Sequence, residues 1–99
     1  PSALTFAERA LTQGPRNPFF LDTAGWANHV AGNKDRAMQL LRDARLREPG
    51  NAEIRYHLGA VLSRAGRNVE AKEEIEAAIR TNVTFDGIND AKTLLATLK

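Results

Sequence analysis

The sequence predicts an all-α protein of about six helices that pair in antiparallel fashion. Three observations support this prediction: apolar residues fall at helical spacing, glycine, proline and asparagine separate the segments, and the pattern returns after 34 residues. A fixed period in this range is typical of stacked supersecondary units. The predicted architecture is therefore a solenoid of helix pairs.

Small and apolar residues that recur 34 positions apart define the period. The matching pairs are Gly25 with Gly59, Ala31 with Ala65, Gly32 with Gly66, Ala37 with Ala71, Leu41 with Ile75, and Ala44 with Ala78. One interval earlier, the corresponding residues are Ala3, Ala7, Ala10, Pro15 and Asn17. We therefore expect residues 1–16 to be the second helix of a preceding repeat, 17–50 and 51–84 to be full repeats, and 85–99 to be a capping helix.

The predicted helices span residues 2–13, 18–31, 34–47, 52–65, 68–81 and 87–98. The first has no preceding partner, so we expect Leu4, Phe6 and Leu11 to leave an open apolar face. Asn17 and Asn51 are good N-caps for the second and fourth helices, because an Asn side chain accepts a hydrogen bond from a free helix amide. The boundary glycines, which accept the left-handed conformation common at helix ends, are Gly14, Gly32, Gly50 and Gly66.

The fifth and sixth helices are predicted from charge and patterning. Glu70, Glu73 and Glu74 lie near the positive end of the fifth helix dipole and Arg80 near the negative end, which is the favourable orientation. In the sixth helix, apolar residues alternate with polar ones and the repeat's glycine is missing. We therefore expect this helix to act as a polar-backed lid over the second full repeat.

Composition excludes several classes of function. A hydrophobic share of 42% and a charged share of 26% are ordinary for a globular protein and argue against disorder. Without cysteine, the chain has no disulfide, thiolate metal site or thiol nucleophile. No apolar run approaches the roughly 20 residues that a membrane helix needs. We expect a soluble fragment of unknown compartment, in the bacterial cytoplasm or periplasm.

This pattern resembles the tetratricopeptide repeat, a helix-turn-helix unit of the same length. The matched residues are its small residue (Gly25, Gly59), its two second-helix alanines (Ala37 and Ala71, Ala44 and Ala78) and its closing proline (Pro15, Pro49). The family's early Trp is instead Leu21 and Arg55, its mid-helix Tyr is Asn28 and Leu62, and its last proline is Val83. The segments 21–26 and 54–67 also look like repeats of bacterial envelope and exopolysaccharide-export proteins.

The resemblance implies a right-handed superhelix whose first helices line a concave groove, and a non-catalytic scaffold that binds proteins there. Within residues 17–50, one stripe of the first helix carries Phe19, Asp22, Trp26 and His29. The same stripe one repeat later is Glu53, Tyr56, Ala60 and Ser63. This mixture of aromatic anchors and polar groups suits an extended peptide or a partner helix. Packing of Trp26 and Phe19 on adjacent helices is an equally good interpretation.

Other functions have weaker sequence support. His29 and His57 form no zinc-binding spacing, and no nucleophile, phosphate loop or paired-carboxylate motif is present, so neither catalysis nor a metal or other cofactor is predicted. Nucleic-acid binding would rest on basic residues of the third helix that acidic ones interrupt, namely Lys34, Arg36, Arg42, Arg45 and Arg47. Self-association to a homodimer through the open first helix is a further alternative.

Overall fold

A computed structural model describes residues 2–98 of the chain. Its six helices are α1 (Ala3–Gln13), α2 (Pro18–Val30), α3 (Lys34–Arg47), α4 (Ala52–Arg64), α5 (Asn68–Arg80) and α6 (Ile88–Thr97). No strand occurs within residues 2–98. The all-α class is confirmed, and each helix begins and ends within one residue of its predicted boundary.

Asparagine side chains begin the two helices for which the sequence predicts them as caps. The Oδ1 of Asn17 accepts hydrogen bonds from the backbone amides of Phe19 and Phe20 at 2.9 and 3.3 Å. The Oδ1 of Asn51 accepts one from the amide of Ile54 at 3.0 Å. Both predicted N-caps are confirmed.

Two of the four boundary glycines adopt the predicted left-handed conformation. Gly32 and Gly66, which follow α2 and α4, have φ of +89° and +80°. For Gly14 and Gly50 the prediction is wrong, because neither has a positive φ. Gly14 instead packs against a ring: a Cβ there would lie 2.9 Å from Cδ2 of Phe20. Gly50 lies two residues beyond Glu48, the C-cap of α3, in open space.

Two helix hairpins, α2 with α3 and α4 with α5, make the most intimate contacts of the fold. A Cβ added at Gly25 would lie 2.7 Å from Cγ of Leu41, and one at Gly59 would lie 2.5 Å from Cγ1 of Ile75. Both separations are shorter than carbon atoms tolerate. Glycine is therefore needed at both positions for each hairpin to close.

The hairpins stack in chain order. α1 packs on α2, α3 on α4 and α5 on α6, while α2, α4 and α6 also contact one another in succession. Two buried clusters fill the stack: one extends through α3–α6 and includes Leu41, Leu58, Leu62 and Ile75, and the other joins α1–α4.

The two ends of the stack differ in how much apolar surface they leave open. Leu11 is buried in the cluster that joins α1–α4, so the expectation that this residue is open is wrong; Phe6 is 59% exposed. At the other end α6 covers α4 and α5 with Ala91 and Leu98, both buried. No helix within residues 2–98 is both long and apolar enough to cross a membrane.

Ion pairs join α1 to α3 and α3 to α5, along the side of the stack that we call the outer side. Arg36 of α3 contacts Glu8 of α1 at 2.9 Å, and Arg42 of α3 contacts Glu70 of α5 at 3.2 Å. The guanidinium of Arg36 donates the hydrogen bonds that do most to lower the pKa of Glu8.

A buried carboxylate of α5 also joins this helix to α3 and α4. Glu74 of α5 is 6% exposed and accepts hydrogen bonds from Arg45 and from Arg55, the latter at 3.1 Å. Arg47 pairs with Asp43 within α3 at 2.9 Å. Four of the five basic residues that a nucleic acid would need on α3 are thus paired with carboxylates of the chain itself.

Candidate functional site

The candidate site lies where α2 and α4 meet, and we call it the α2–α4 face. It comprises the residues that the sequence predicts for a groove, together with one neighbour that it does not: Phe19, Asp22, Trp26, His29, Glu53, Tyr56, Ser63 and His57. The face exists because α2 contacts α4 and α4 contacts α6, so side chains of these helices lie side by side.

A hydrogen bond between Asp22 and His57 joins the two helices at the centre of the face. Nδ1 of His57 lies 2.7 Å from Oδ1 of Asp22. Because an ionised carboxylate only accepts hydrogen bonds, Nδ1 carries the proton and donates it. Asp22 is 8% exposed, so this contact supplies the partner that a buried carboxylate needs. The sequence predicts Asp22 on the groove stripe, and the structure also gives it a role in joining two helix pairs.

Aromatic rings surround this hydrogen bond. The Trp26 indole stacks on the His57 imidazole, with ring centroids 4.3 Å apart and planes inclined by 26°. The rings of His29 and Tyr56 lie 4.8 and 6.1 Å from the same indole. Trp26 is half-buried, so it contributes both to helix packing and to the accessible surface.

Tyr56 is more deeply placed than an open groove would require, at 8% exposure. A Cβ at Gly87 would lie 2.6 Å from Cε2 of Tyr56, and the φ of Gly87 is +86°. Glycine is therefore required at position 87 both for its backbone conformation and for its contact with the ring. The Phe85 ring lies beside the same tyrosine, with centroids 6.0 Å apart. Burial, and then the negative charge of Asp90, raises the pKa of the Tyr56 hydroxyl.

The remaining predicted residues lie at the edges of the face. Phe19 is 57% exposed at the start of α2, whereas Ser63 lies half-buried near the end of α4. Burial lowers the pKa of His29, and the charges of Arg64 and His57 add to this effect. His29 also lines a small cleft together with Lys34 and Arg64.

Glu53 connects the face to a wider cleft of about 580 Å³ between the start of α4 and the loop before α6. Phe85 and Asp86 line the same cleft. The α2–α4 face therefore continues toward α6 as a surface that is both acidic and aromatic.

Three groups on the face could together hold a cation. The ligand atoms of Asp22, Glu53 and His57 lie within 4.8 Å of one another. Carboxylate oxygens and an imidazole nitrogen suit a divalent transition metal as well as a cationic side chain. The 2.7 Å contact is a hydrogen bond, so a metal would have to displace its proton.

Sequence reasoning missed His57 as a partner of Asp22. The 34-residue period pairs Asp22 with Tyr56, and His57 is the next residue along the chain. The available signal was the spacing of Glu53 and His57, four residues apart and hence on one side of α4. Within residues 2–98 no hydroxyl group hydrogen-bonds to His57, so the Asp22–His57 pair lacks the nucleophile that a catalytic triad needs.

Comparison with known proteins places this arrangement in a family. The family profile described as tetratricopeptide repeat matches residues 31–98, more than half of the chain. No curated protein matches the sequence. Among the solved structures that match is the crystal structure of the Sgt2 TPR domain from Aspergillus fumigatus, with a TM-score of 0.81 and 23% sequence identity.

The superposition covers 96% of this chain and 62% of the Aspergillus chain, so the present chain spans less than two thirds of that structure's length. The likeness extends over all six helices and confirms the predicted solenoid of antiparallel helix pairs. On the match of the family profile to residues 31–98, the chain belongs to the tetratricopeptide repeat family.

Proposed function

We propose that the chain is a non-catalytic scaffold that binds a peptide or a helix of another protein on the α2–α4 face. The observation that carries this proposal is that the half-buried Trp26 ring lies beside the rings of Tyr56 and His57, with centroids 6.1 and 4.3 Å apart, while Phe19 stays exposed at the edge of the face. Aromatic anchors surrounded by a few polar groups are typical of surfaces that bind proteins. Members of the tetratricopeptide repeat family generally serve as protein-binding scaffolds.

The repeat division that we infer supports this placement. Residues 17–50 and 51–84 form two equivalent units, 1–16 the second helix of an earlier one, and 85–99 a capping segment. The pairs Glu8–Arg36 and Arg42–Glu70 occupy positions 34 residues apart, as the division requires. Under this division α2, α4 and α6 are first helices, the ones that line the binding side. The narrower likeness to bacterial envelope and export proteins, and a cytoplasmic or periplasmic location, stay predictions.

The test is capture of partners from the source cells with matched surface variants. The double variant Phe19→Ala/Trp26→Ala removes anchors of the face, whereas Leu46→Ala/Val69→Ala removes two side chains that are each 77% exposed on second helices. Tyr56→Ala is less suitable, because the ring packs on Gly87.

We expect the first double variant to lose the partner and the second to retain it, with circular dichroism showing that both are folded. A partner held equally by the two would place the binding surface elsewhere.

Self-association is a second candidate, favoured by an apolar cleft at the other side of Trp26. Leu4, Ala27 and Val30 line this cleft, and Val30 is 74% exposed. A second copy that covers the cleft would remove this apolar surface from water. Sedimentation of wild-type chain and of Val30→Glu at several concentrations tests it: a dimer that the charge abolishes supports self-association, and a monomer throughout contradicts it.

A further inference from the structure

We infer that the α2–α4 face selects a basic partner, one whose lysine or arginine side chains enter an acidic strip between the aromatic rings. The inference rests on the proposed function, since it specifies the chemistry of a ligand for the same face. It is carried by where the carboxylates of the chain lie and by which of them already have a cationic partner. Four residues form the strip: Asp22, Glu53, Asp86 and Asp90.

Shared neighbours place the four carboxylates along the same side of α2, α4 and α6. Asp22 and Glu53 approach a common neighbour, His57, within a group whose ligand atoms are no more than 4.8 Å apart. Glu53 and Asp86 line one cleft. Asp90 is near enough to Tyr56 for its charge to act on the phenol. The strip thus runs from α2 across the start of α4 to α6.

No lysine or arginine of residues 2–98 forms a salt bridge with a member of this strip. Glu53, Asp86 and Asp90 make no salt bridge in the described chain, and Asp22 contacts only the His57 imidazole. On the outer side, by contrast, Glu8, Glu70 and Glu74 are each held by arginine. Asp35, Glu73 and Glu76 of α3 and α5 likewise make no salt bridge in the described chain, so the aromatic rings beside the strip are what set it apart. Its carboxylates are available to attract a cation from outside.

The surroundings favour a long cationic side chain of a protein. Phe19, Trp26 and Phe85 provide apolar surface beside the carboxylates, which suits the methylene stem of lysine or the flat guanidinium of arginine. An acidic peptide would meet like charges here.

The experiment uses the whole chain and three short synthetic peptides that alternate alanine and phenylalanine with lysine, with glutamate or with glutamine. Trp26 is the only tryptophan of the chain, so its fluorescence reports binding of these tryptophan-free peptides at the face. Amide chemical shifts in nuclear magnetic resonance spectra identify the residues that the peptide contacts.

We expect the lysine peptide to bind more tightly than the glutamine peptide, and the glutamate peptide not to bind, with the preference decreasing as salt is added. The shifts should fall on α2, α4 and α6. Glu53→Gln/Asp90→Asn should weaken binding of the lysine peptide by about two- to thirtyfold, the range for two exposed ion pairs. The control Glu73→Gln/Glu76→Gln removes the same charge from α5 and should leave binding unchanged.

The outcomes separate this inference from the proposed function. If all three peptides bind the face equally, charge selection is wrong and the scaffold function stands. If the lysine peptide does not bind at low salt, or binds with shifts confined to α3 and α5, the acidic strip is refuted as a site. Loss of lysine-peptide binding in the Glu73/Glu76 control would also refute it, because the effect would then depend on net charge alone.

Discussion

Gly59 lies where α4 packs tightly on α5, and its replacement by alanine tests how the hairpin is closed. The new Cβ would lie 2.5 Å from Cγ1 and 3.0 Å from Cδ1 of Ile75, and 3.3 Å from the carbonyl oxygen of Ala71. The severe clash is with the Ile75 side chain, which must move for the methyl group to fit, and the backbone carbonyl of Ala71 must give by a few tenths of an ångström. Overpacking of this kind costs about 1–3 kcal/mol.

A second effect opposes the first, because alanine is a better helix former than glycine by about 1 kcal/mol. The expected net change for Gly59→Ala is therefore a loss of about 0–2 kcal/mol of unfolding free energy. The two effects separate in the background of Ile75→Ala, which removes both clashing carbons and itself costs about 2–5 kcal/mol. In that background Gly59→Ala should stabilise the chain by about 1 kcal/mol.

The assay is a double-mutant cycle from urea unfolding followed by circular dichroism. We expect a coupling energy of at least about 1 kcal/mol between positions 59 and 75. Gly50→Ala is the control, because a Cβ at Gly50 meets nothing within 4 Å and its backbone needs no left-handed conformation. If Gly59→Ala changed stability no differently from Gly50→Ala in both backgrounds, close contact between α4 and α5 would be refuted.

Three further perturbations test other contacts of the fold. Asn51→Ala should cost about 1 kcal/mol in urea unfolding, because the α4 amide of Ile54 loses its acceptor, and Asn51→Asp should not. Glu74→Ala should cost about 2–3 kcal/mol, because two arginines lose a buried acceptor; a cost below about 0.5 kcal/mol would contradict that role. The folded chain lowers the pKa of Glu8 from its ordinary value near 4.5, so this carboxylate stabilises the fold above that pH and the effect is lost as pH falls through the folded pKa. As the pH is lowered from about 5, the unfolding free energy of Glu8→Gln should therefore decrease less than that of the wild type. Parallel curves of unfolding free energy against pH for the two proteins would contradict this assignment.

The sequence predicted helix positions closely because each helix boundary is determined by residues close to it in the chain. An asparagine that caps its own helix, as at Asn17 and Asn51, or a glycine with positive φ, as at Gly32 and Gly66, acts within a few residues of the chain. The 34-residue period then identified which glycines touch the facing helix. The left-handed conformation predicted for Gly14 and Gly50 was wrong, because a glycine near a helix end can also be present to leave room for a neighbouring ring, as Gly14 does for Phe20, or lie in open space, as Gly50 does.

The centre of the candidate site was harder to predict, because it depends on contacts between helices. Asp22 and His57 are 35 residues apart, one more than the period, so a comparison of equivalent positions paired Asp22 with Tyr56 instead. Tyr56 in turn is covered by Gly87 and Phe85, which lie in a segment that does not follow the repeat. The register between neighbouring helices, and not the propensity of any residue, decides which side chains meet.

The outer ion pairs show why the net charge of the chain says little about the charge of any one of its faces. Position 8 carries glutamate and its equivalent, position 42, carries arginine, while their partners at 36 and 70 carry arginine and glutamate. The repeat thus keeps the geometry of the contact and exchanges its charges. Pairs of this kind contribute nothing to the net charge, so the formal value of +2 reflects residues outside them. A nearly neutral chain can therefore hold carboxylates without a salt bridge to arginine, such as Glu53 and Asp86, because six arginines of the described residues are paired with other carboxylates.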